Sequence, residues 1–392
     1  MTDPKSPGRP RAAATRLTHD GRSPAAQHGF VNTPIYRGST VVFDTLDAFE
    51  DMGIRYRYGR QGTPLTTGIE EIVTDLEGAA GTRLAPSGLS AITAALLSVL
   101  SAGDEVLVTD SAYEPTRIFC DRVLSRMGIA TRYVDPRIGA GIAGLVTERT
   151  KAIFVESPGS LTFEVQDLPA IRAALGDREV AILVDNTWAT PLFHRPLSLG
   201  ADMVIHSGTK MFVGHADAMF GTVSANAAYM DRLNQTHRTL GLTASPDDTF
   251  LATRGIRTLA LRMEEFSRRS VALAQWLEAR DGVAEVIHPA LPSHPDHAIF
   301  TRDFSGSGPL FTFALPPGPR EAVAAFVDGL ELIGMGYSWG GYESLILPFT
   351  PERTAQPWTR NERMFRVHVG LEGFEDLVAD LDAGIARYLS RL

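Results

Sequence analysis

The chain has 392 residues, 44% of them hydrophobic and 21% charged, and its formal charge of −9 is spread without acidic or basic blocks; this is the balance of a globular protein with room for one large core and a smaller one. No apolar run approaches the roughly 20 residues a membrane span needs, and an acidic chain without a basic face is a poor nucleic-acid binder. The single cysteine, Cys120, excludes an intramolecular disulfide framework and a multi-cysteine zinc site, and fits a reducing cytoplasm.

The segment 1–27 is rich in Pro, Gly, Arg and Ser, lacks the apolar centre of a signal peptide, and reads as a disordered tail. FVNTPIYRGSTVVF follows as an extended arm, then LDAFEDM as a short helix, so that 1–57 is expected to have no core of its own. From Thr66 the pattern turns helical, with Ile69, Ile72, Val73 and Leu76 on one face and Gly78 at the end. An alternation then begins: strand TRLAPS, helix LSAITAALLSVL, strand DEVLVTDS, helix EPTRIFCDRVLSRMG, strand ATRYVDP, strand KAIFVES, a helix around DLPAIRAALG, and strand EVAILVDNT. Near-continuous apolar strands separated by helices predict a mostly parallel sheet covered on both faces, with functional groups at the carboxyl ends of its strands. After the loop GLTASPDD, a long helix with Leu259, Met263, Phe266, Leu273 and Leu277 at helical spacing leads into strands GPLFTFAL and FRVHVGL and helices REAVAAFVDGL and EDLVADLDAGIARYL. We therefore expect a large α/β domain over 58–245 and a smaller α+β domain over 246–392.

Five candidates fall at strand ends: Ser87-Gly88, Tyr113, Ser157, Asp185 and the turn Ser207 to Lys210. Lys210 follows an apolar strand and a Ser-Gly-Thr turn, where desolvation would free its amine to form a Schiff base; a solvated surface lysine is the alternative. Ser207 and Thr209 place hydroxyls, and Gly88 and Leu89 place helix-start N–H groups, where an anion could sit. Asp185 at the end of an apolar strand needs a cation, such as a protonated pyridine nitrogen, unless it only braces a loop. Tyr113 could stack on a planar ring. Tyr58 and Arg60 lie in a segment with little core and could serve the phosphate of a second subunit. Arg366, among apolar strand neighbours, suits a substrate carboxylate or a structural salt bridge equally. His206, His215 and Asp217 have neither a same-face helical spacing nor a known ligand pattern, so no metal site is expected.

In order from Tyr58 onward, YGRQGTP, PSGLSA, DSAYEP, ESPGS, VDNTW, SGTK, SWGGYESL and RVHVGLE resemble the Cys/Met-metabolism family of pyridoxal phosphate (PLP) enzymes over essentially the whole chain after the tail. The resemblance implies a type I PLP-dependent transferase fold, like that of aspartate aminotransferase, and a homo-oligomer, expected to be a tetramer with sites shared across a dimer. It implies Lys210 as the Schiff-base lysine, Asp185 at the pyridine nitrogen and Tyr113 on the ring. Gly88, Leu89, Ser207 and Thr209 would hold the phosphate, joined by Tyr58 and Arg60 of the neighbouring subunit. Arg366 would take the substrate α-carboxylate near Ser338 and Trp339, with Tyr337 and Tyr58 bordering the substrate. SAYEP, ESPGS and YSWGGYESL are most similar to the cystathionine β-lyase branch, whereas the γ-branches usually carry Asn in place of Ser160 and lack the Trp339-Tyr342 pair. The expected activity is β-elimination from a sulfur amino acid by Lys210, with γ-elimination or a PLP-binding regulatory role as alternatives.

Overall fold

The computed structural model describes residues 11–392. Seven strands form the large sheet: β1 (Gly81–Ala85), β2 (Glu105–Thr109), β3 (Ala130–Val134), β4 (Thr150–Glu156), β5 (Ala181–Asp185), β6 (Met203–His206) and β7 (Gly221–Ala225), in the order β1-β7-β6-β5-β4-β2-β3. Only β7 runs against the rest, pairing antiparallel with both β1 and β6, so the expected mostly parallel sheet is present. Alternation along the strands sends one set of side chains to each face. Val106, Val108, Phe154, Leu183 and Ile205 pack under the helices Gly88–Val99 and Met230–Thr239, while Leu107, Ile153, Val155, Ile182 and Val184 pack under Leu168–Leu175.

Strand β7 was not expected, and its sequence explains why. GTVSA is short, small and partly polar, without the apolar run of its neighbours. It is held by position: a side chain at Gly221 would collide with the carbonyl of Ser87, so the strand can lie beside the start of the helix Gly88–Val99 only with glycine there.

Five further strands form the small sheet: β8 (Glu285–Ile287), β9 (Leu310–Leu315), β10 (Gly334–Met335), β11 (Leu345–Phe349) and β12 (Arg363–His368), in the order β10-β11-β12-β9-β8. The helices Arg320–Val327 and Phe374–Leu389 cover one face. The long helix Leu259–Glu278 belongs to two cores: Leu259, Met263 and Phe266 are buried with Phe212 and Phe220, whereas Leu273 and Leu277 are buried with Phe313 and Phe365. One amphipathic element thereby couples the two sheets.

The expected disorder at the N-terminus is corrected from residue 11 on; residues 1–10 lie outside the described residues. Ala13–His19 is a helix whose Leu17 is completely buried among Ile69, Ile72 and Ile256. Arg16 pairs with Asp75 at 2.6 Å, and Arg257 donates to the carbonyls of Leu17 and Asp20, satisfying acceptors that the helix end leaves open. Composition signals disorder because the segment has almost no apolar surface; it folds because one leucine and two arginine bonds reach a distant wall. The following stretch carries a single bridge, between Thr40 and Tyr58, and leaves Phe30, Val42, Phe49 and Met52 exposed. Cys120 is fully buried in a helix, and burial pushes its thiol up to about 12.

Replacing Leu17→Ala should remove about 2 to 5 kcal/mol of stability. Chemical denaturation measures this, and a change below about 0.5 kcal/mol, the range of an exposed site, would show that the helix is not docked in solution.

Candidate active site

Because every strand but β7 points the same way, the carboxyl ends of β1, β2, β4, β5 and β6 lie on one edge of the large sheet, and the five strand-end candidates sit there together. Ser87 caps the helix Gly88–Val99 by accepting from Ser90 N at 3.1 Å. Its first N–H groups, those of Gly88 and Leu89, have no partner within the helix and concentrate positive potential. A Cβ on Gly88 would stand 2.5 Å from both Cβ and Oγ of Ser207, so glycine alone allows the Ser207 hydroxyl to approach this helix start.

Asp185 ends β5 and is buried. Its Oδ1 accepts from Thr187 N at 3.0 Å and from Thr187 Oγ at 2.5 Å, and Thr187 Oγ in turn accepts from Ser207 N at 2.8 Å. A chain of hydrogen bonds thus runs from the carboxylate into the turn that carries Lys210. Burial holds the Asp185 carboxyl above the usual range, against the donors of Thr187 and the charge of Lys210. Beside it on β4, in register, lies Glu156, pushed well up by burial and by Asp185; its Oε2 accepts from Tyr113 N at 2.7 Å.

Lys210 donates from Nζ to Ser338 Oγ at 2.7 Å, with the Trp339 ring 5.7 Å away. Burial, and then the charge of Arg366, lower its pKa to about 8, while Asp185 opposes the shift. Arg366 on β12 gives Nη2 to the carbonyls of Gly336, Tyr337 and Ser338 at 3.2, 2.8 and 3.2 Å. Its Nε is buried with no acceptor, and burial brings the guanidinium down to about 10. A buried donor of this kind requires an anion or costs stability. Tyr113 is exposed at the edge of the same cluster; partial burial of its hydroxyl and the neighbouring Glu156 and Asp185 raise that hydroxyl's pKa. Gly340, at φ +91°, lies so close that a Cβ would be 2.9 Å from the Lys210 backbone, which keeps the Ser338-Trp339 segment against the lysine.

A sequence profile of the Cys/Met metabolism PLP-dependent enzymes matches residues 14–386. The chain belongs to this family. It is 46% identical over 377 residues to a putative cystathionine beta-lyase of Rhizobium johnstonii, covering 95% of each chain. It is 41% identical over 387 residues to a cystathionine beta-lyase of Escherichia coli, covering 95% of this chain and 98% of that one. Among solved structures, the cystathionine gamma synthase of Xanthomonas oryzae pv. oryzae in complex with cystathionine superposes with a TM-score of 0.90 at 32% identity, covering 98% of this chain and 100% of that one. The type I PLP fold and PLP dependence follow from this membership.

The geometry fits the cofactor on its own terms. A lysine near neutrality, a buried carboxylate lacking a full counter-charge, a helix start that only glycine keeps open and an aromatic face are the parts that an aldehyde, a pyridine nitrogen, a phosphate and a ring require. Four expected residues behave otherwise. Thr209 Oγ already bonds both backbone groups of Phe220, at 3.1 Å and 2.9 Å, so it would meet a phosphate only by exchanging that acceptor. The Tyr337 side chain is 86% exposed and contributes its carbonyl to Arg366 instead of a wall to the substrate. Tyr58 and Arg60 do not join the cluster within the chain: Tyr58 is exposed, and Arg60 donates to the Arg238 carbonyl at 3.0 Å in a cleft with Leu84 and His237.

His206 is occupied by Glu77, with Nε2 and Oε1 2.5 Å apart in a buried pair, and His215 bonds the Val213 carbonyl. Among the described residues no three His, Cys, Asp or Glu side chains are grouped to hold a metal. Thr187, Glu156 and Gly340 escaped the sequence reading. Thr187 had a usable signal, since a hydroxyl two residues after an Asp readily returns to its carboxylate; the other two depend on strand order and close approach.

With a lysine pKa of about 8 in place of the ordinary 10.5, capture of PLP by cofactor-free protein should accelerate with rising pH through a midpoint near 8. Arg366→Leu removes a positive charge that favours the neutral amine and should move that midpoint upward. Stopped-flow absorbance reads both, and a midpoint near 10.5, or a downward shift in the variant, would contradict the assigned environment.

Proposed function

We propose that the chain is a PLP-dependent carbon–sulfur β-lyase that converts L-cystathionine and water to homocysteine, pyruvate and ammonia, with 58–245 as the cofactor-binding unit and 246–392 as the smaller domain. The observation that carries the reading is the contact of the Ser338-Trp339 segment with Lys210 beside Arg366, in a chain whose relatives named cystathionine beta-lyase reach 46% identity. Bound PLP supplies an electron sink for charge leaving Cα.

Lys210 would hold the cofactor through its aldehyde. Arg366 takes the α-carboxylate, its buried Nε finding the acceptor it lacks. The Lys210 amine, its pKa lowered to about 8, would take the Cα proton, and Asp185 would keep a proton on the pyridine nitrogen. Tyr113 would cover the ring, and Lys210 or Tyr113 would return a proton to the departing sulfur. Gly88, Leu89 and Ser207 would hold the phosphate, and Thr209 would join them if its hydroxyl turned from Phe220. The Ser338 hydroxyl, bonded to Lys210, fixes where the amine rests between steps.

Tyr58 and Arg60 serve the site of a second copy, and the assembly is a homotetramer built from such dimers. The reading is supported by the apolar arm, on which Val42 is 85% and Met52 79% exposed next to these residues, as is expected of a surface another copy covers. A reducing cytoplasmic setting suits a chain whose one thiol is buried.

Product analysis with L-cystathionine decides the reaction. Pyruvate and homocysteine are expected; 2-oxobutyrate with cysteine would assign γ-elimination instead. Shared sites predict that Lys210→Ala and Arg60→Ala proteins, each nearly inactive, regain about a quarter of the parental activity when dissociated, mixed equally and reassembled, because half of the dimers then hold one intact site. Demonstrated hybrids without recovery would make the sites private to each chain.

A further inference from the structure

Between β11 and β12 residues 350–362 leave the small sheet and lie across the turn of the large sheet that carries Tyr113. The turn receives them at Asp110, which is buried. Its Oδ2 accepts from the backbone N–H groups of Thr354, Ala355 and Gln356 at 2.8, 2.8 and 3.4 Å, and its Oδ1 accepts from Arg117 Nη1 at 2.7 Å. Three successive N–H groups closing on one carboxylate form an anion nest, here filled by a side chain of the same protein. Arg117, also buried, gives Nη2 to Thr354 Oγ at 2.6 Å and lies 4.0 Å over the Tyr133 ring. Arg353 pairs with Glu164 at 2.7 Å, and the Gln356 amide reaches Asp135.

Pro351 is buried and Trp358 packs against the core, but between them Thr354, Ala355, Gln356 and Pro357 are exposed, so this middle of the strap is fastened by polar contacts, the Asp110 nest foremost, with the Arg353–Glu164 pair beside it. Its two ends carry the consequence. Asp110 and Arg117 bracket Tyr113 in the chain, and the strap runs into β12, which bears Arg366. Tyr113 and Arg366 are near enough for each to shift the other's proton affinity.

We propose that Asp110 is a positioning residue of the reaction: by holding Thr354, Ala355 and Gln356 against the Tyr113 turn, it sets the spacing between Tyr113 on the large sheet and Arg366 on the small one. The inference rests on the roles given to Tyr113 and Arg366 above. Cutting the fastening leaves β12 in its sheet but loosens the link between that sheet and the Tyr113 turn, so recognition of the substrate carboxylate suffers before cofactor binding does.

Asp110→Asn keeps the shape but removes the charge that gathers the N–H groups; Ala355→Pro leaves the Asp110–Arg117 pair intact and removes one donor. In each PLP-loaded variant, amide exchange at residues 354 and 356, and at 355 where the N–H is kept, should quicken by about tenfold or more. The Kd of glycine, which offers an amine and a carboxylate but no sulfur, should rise about tenfold by visible absorbance, as should KM for L-cystathionine, with kcat changed less than about threefold. The absorbance of bound cofactor should stay as in the parent. Faster exchange with unchanged Kd and KM overturns the proposal, and so does a parallel loss of bound cofactor and melting temperature, the signature of a merely structural ion pair. If Asp110→Asn does not fold, Ala355→Pro is judged by the same criteria. A parent that does not turn over L-cystathionine removes the lyase reading, while exchange and glycine binding still decide the strap.

Discussion

A buried carboxylate at the edge of the large sheet is the constraint on which the rest of the site depends. Asp185 is taken out of water by the apolar strands that make β5 and its neighbours stable, and an anion there is tolerable only with donors and a cation nearby. Thr187 supplies two donors and, by accepting from Ser207 N, ties the carboxylate to the turn that carries Lys210. The parallel sheet thus both creates the electrostatic demand and puts the groups that answer it on one edge.

The other half of the site comes from the small sheet. Arg366 is held by three carbonyls of the segment that brings Ser338 and Trp339 onto Lys210, and Gly340 permits that approach. Neither sheet alone holds both the lysine and the arginine. The helix Leu259–Glu278, buried at one end in each core, accounts for how two such separate elements keep a common geometry.

Much of this was legible in the order of residues, and what was missed has physical causes. Short apolar runs ending in polar turns mark β2, β4 and β5 and place Tyr113, Ser157 and Asp185 at their ends, because a strand buried on both faces shows its pattern locally. Strand β7 escaped because its residues carry little hydrophobic signal and its place is set by Gly221 against Ser87. The helix at Leu17 escaped because the wall it packs on is remote in sequence. Glu156 became visible only once β4 and β5 were known to be neighbours in register, which no spacing reports. Thr209 and Tyr337 were placed by motif, and hydrogen bonding and exposure revise how each contributes.

The seclusion of Cys120 bears on the product. A lyase of this kind releases a free thiol at its own surface with every turnover, and such thiols exchange readily into any accessible disulfide or sulfenic acid. The chain offers them nothing to capture: its one cysteine is sealed inside a helix, and burial keeps the sulfur protonated and therefore unreactive. The enzyme is in this sense redox-silent, able to work in a stream of thiols without accumulating them as mixed disulfides.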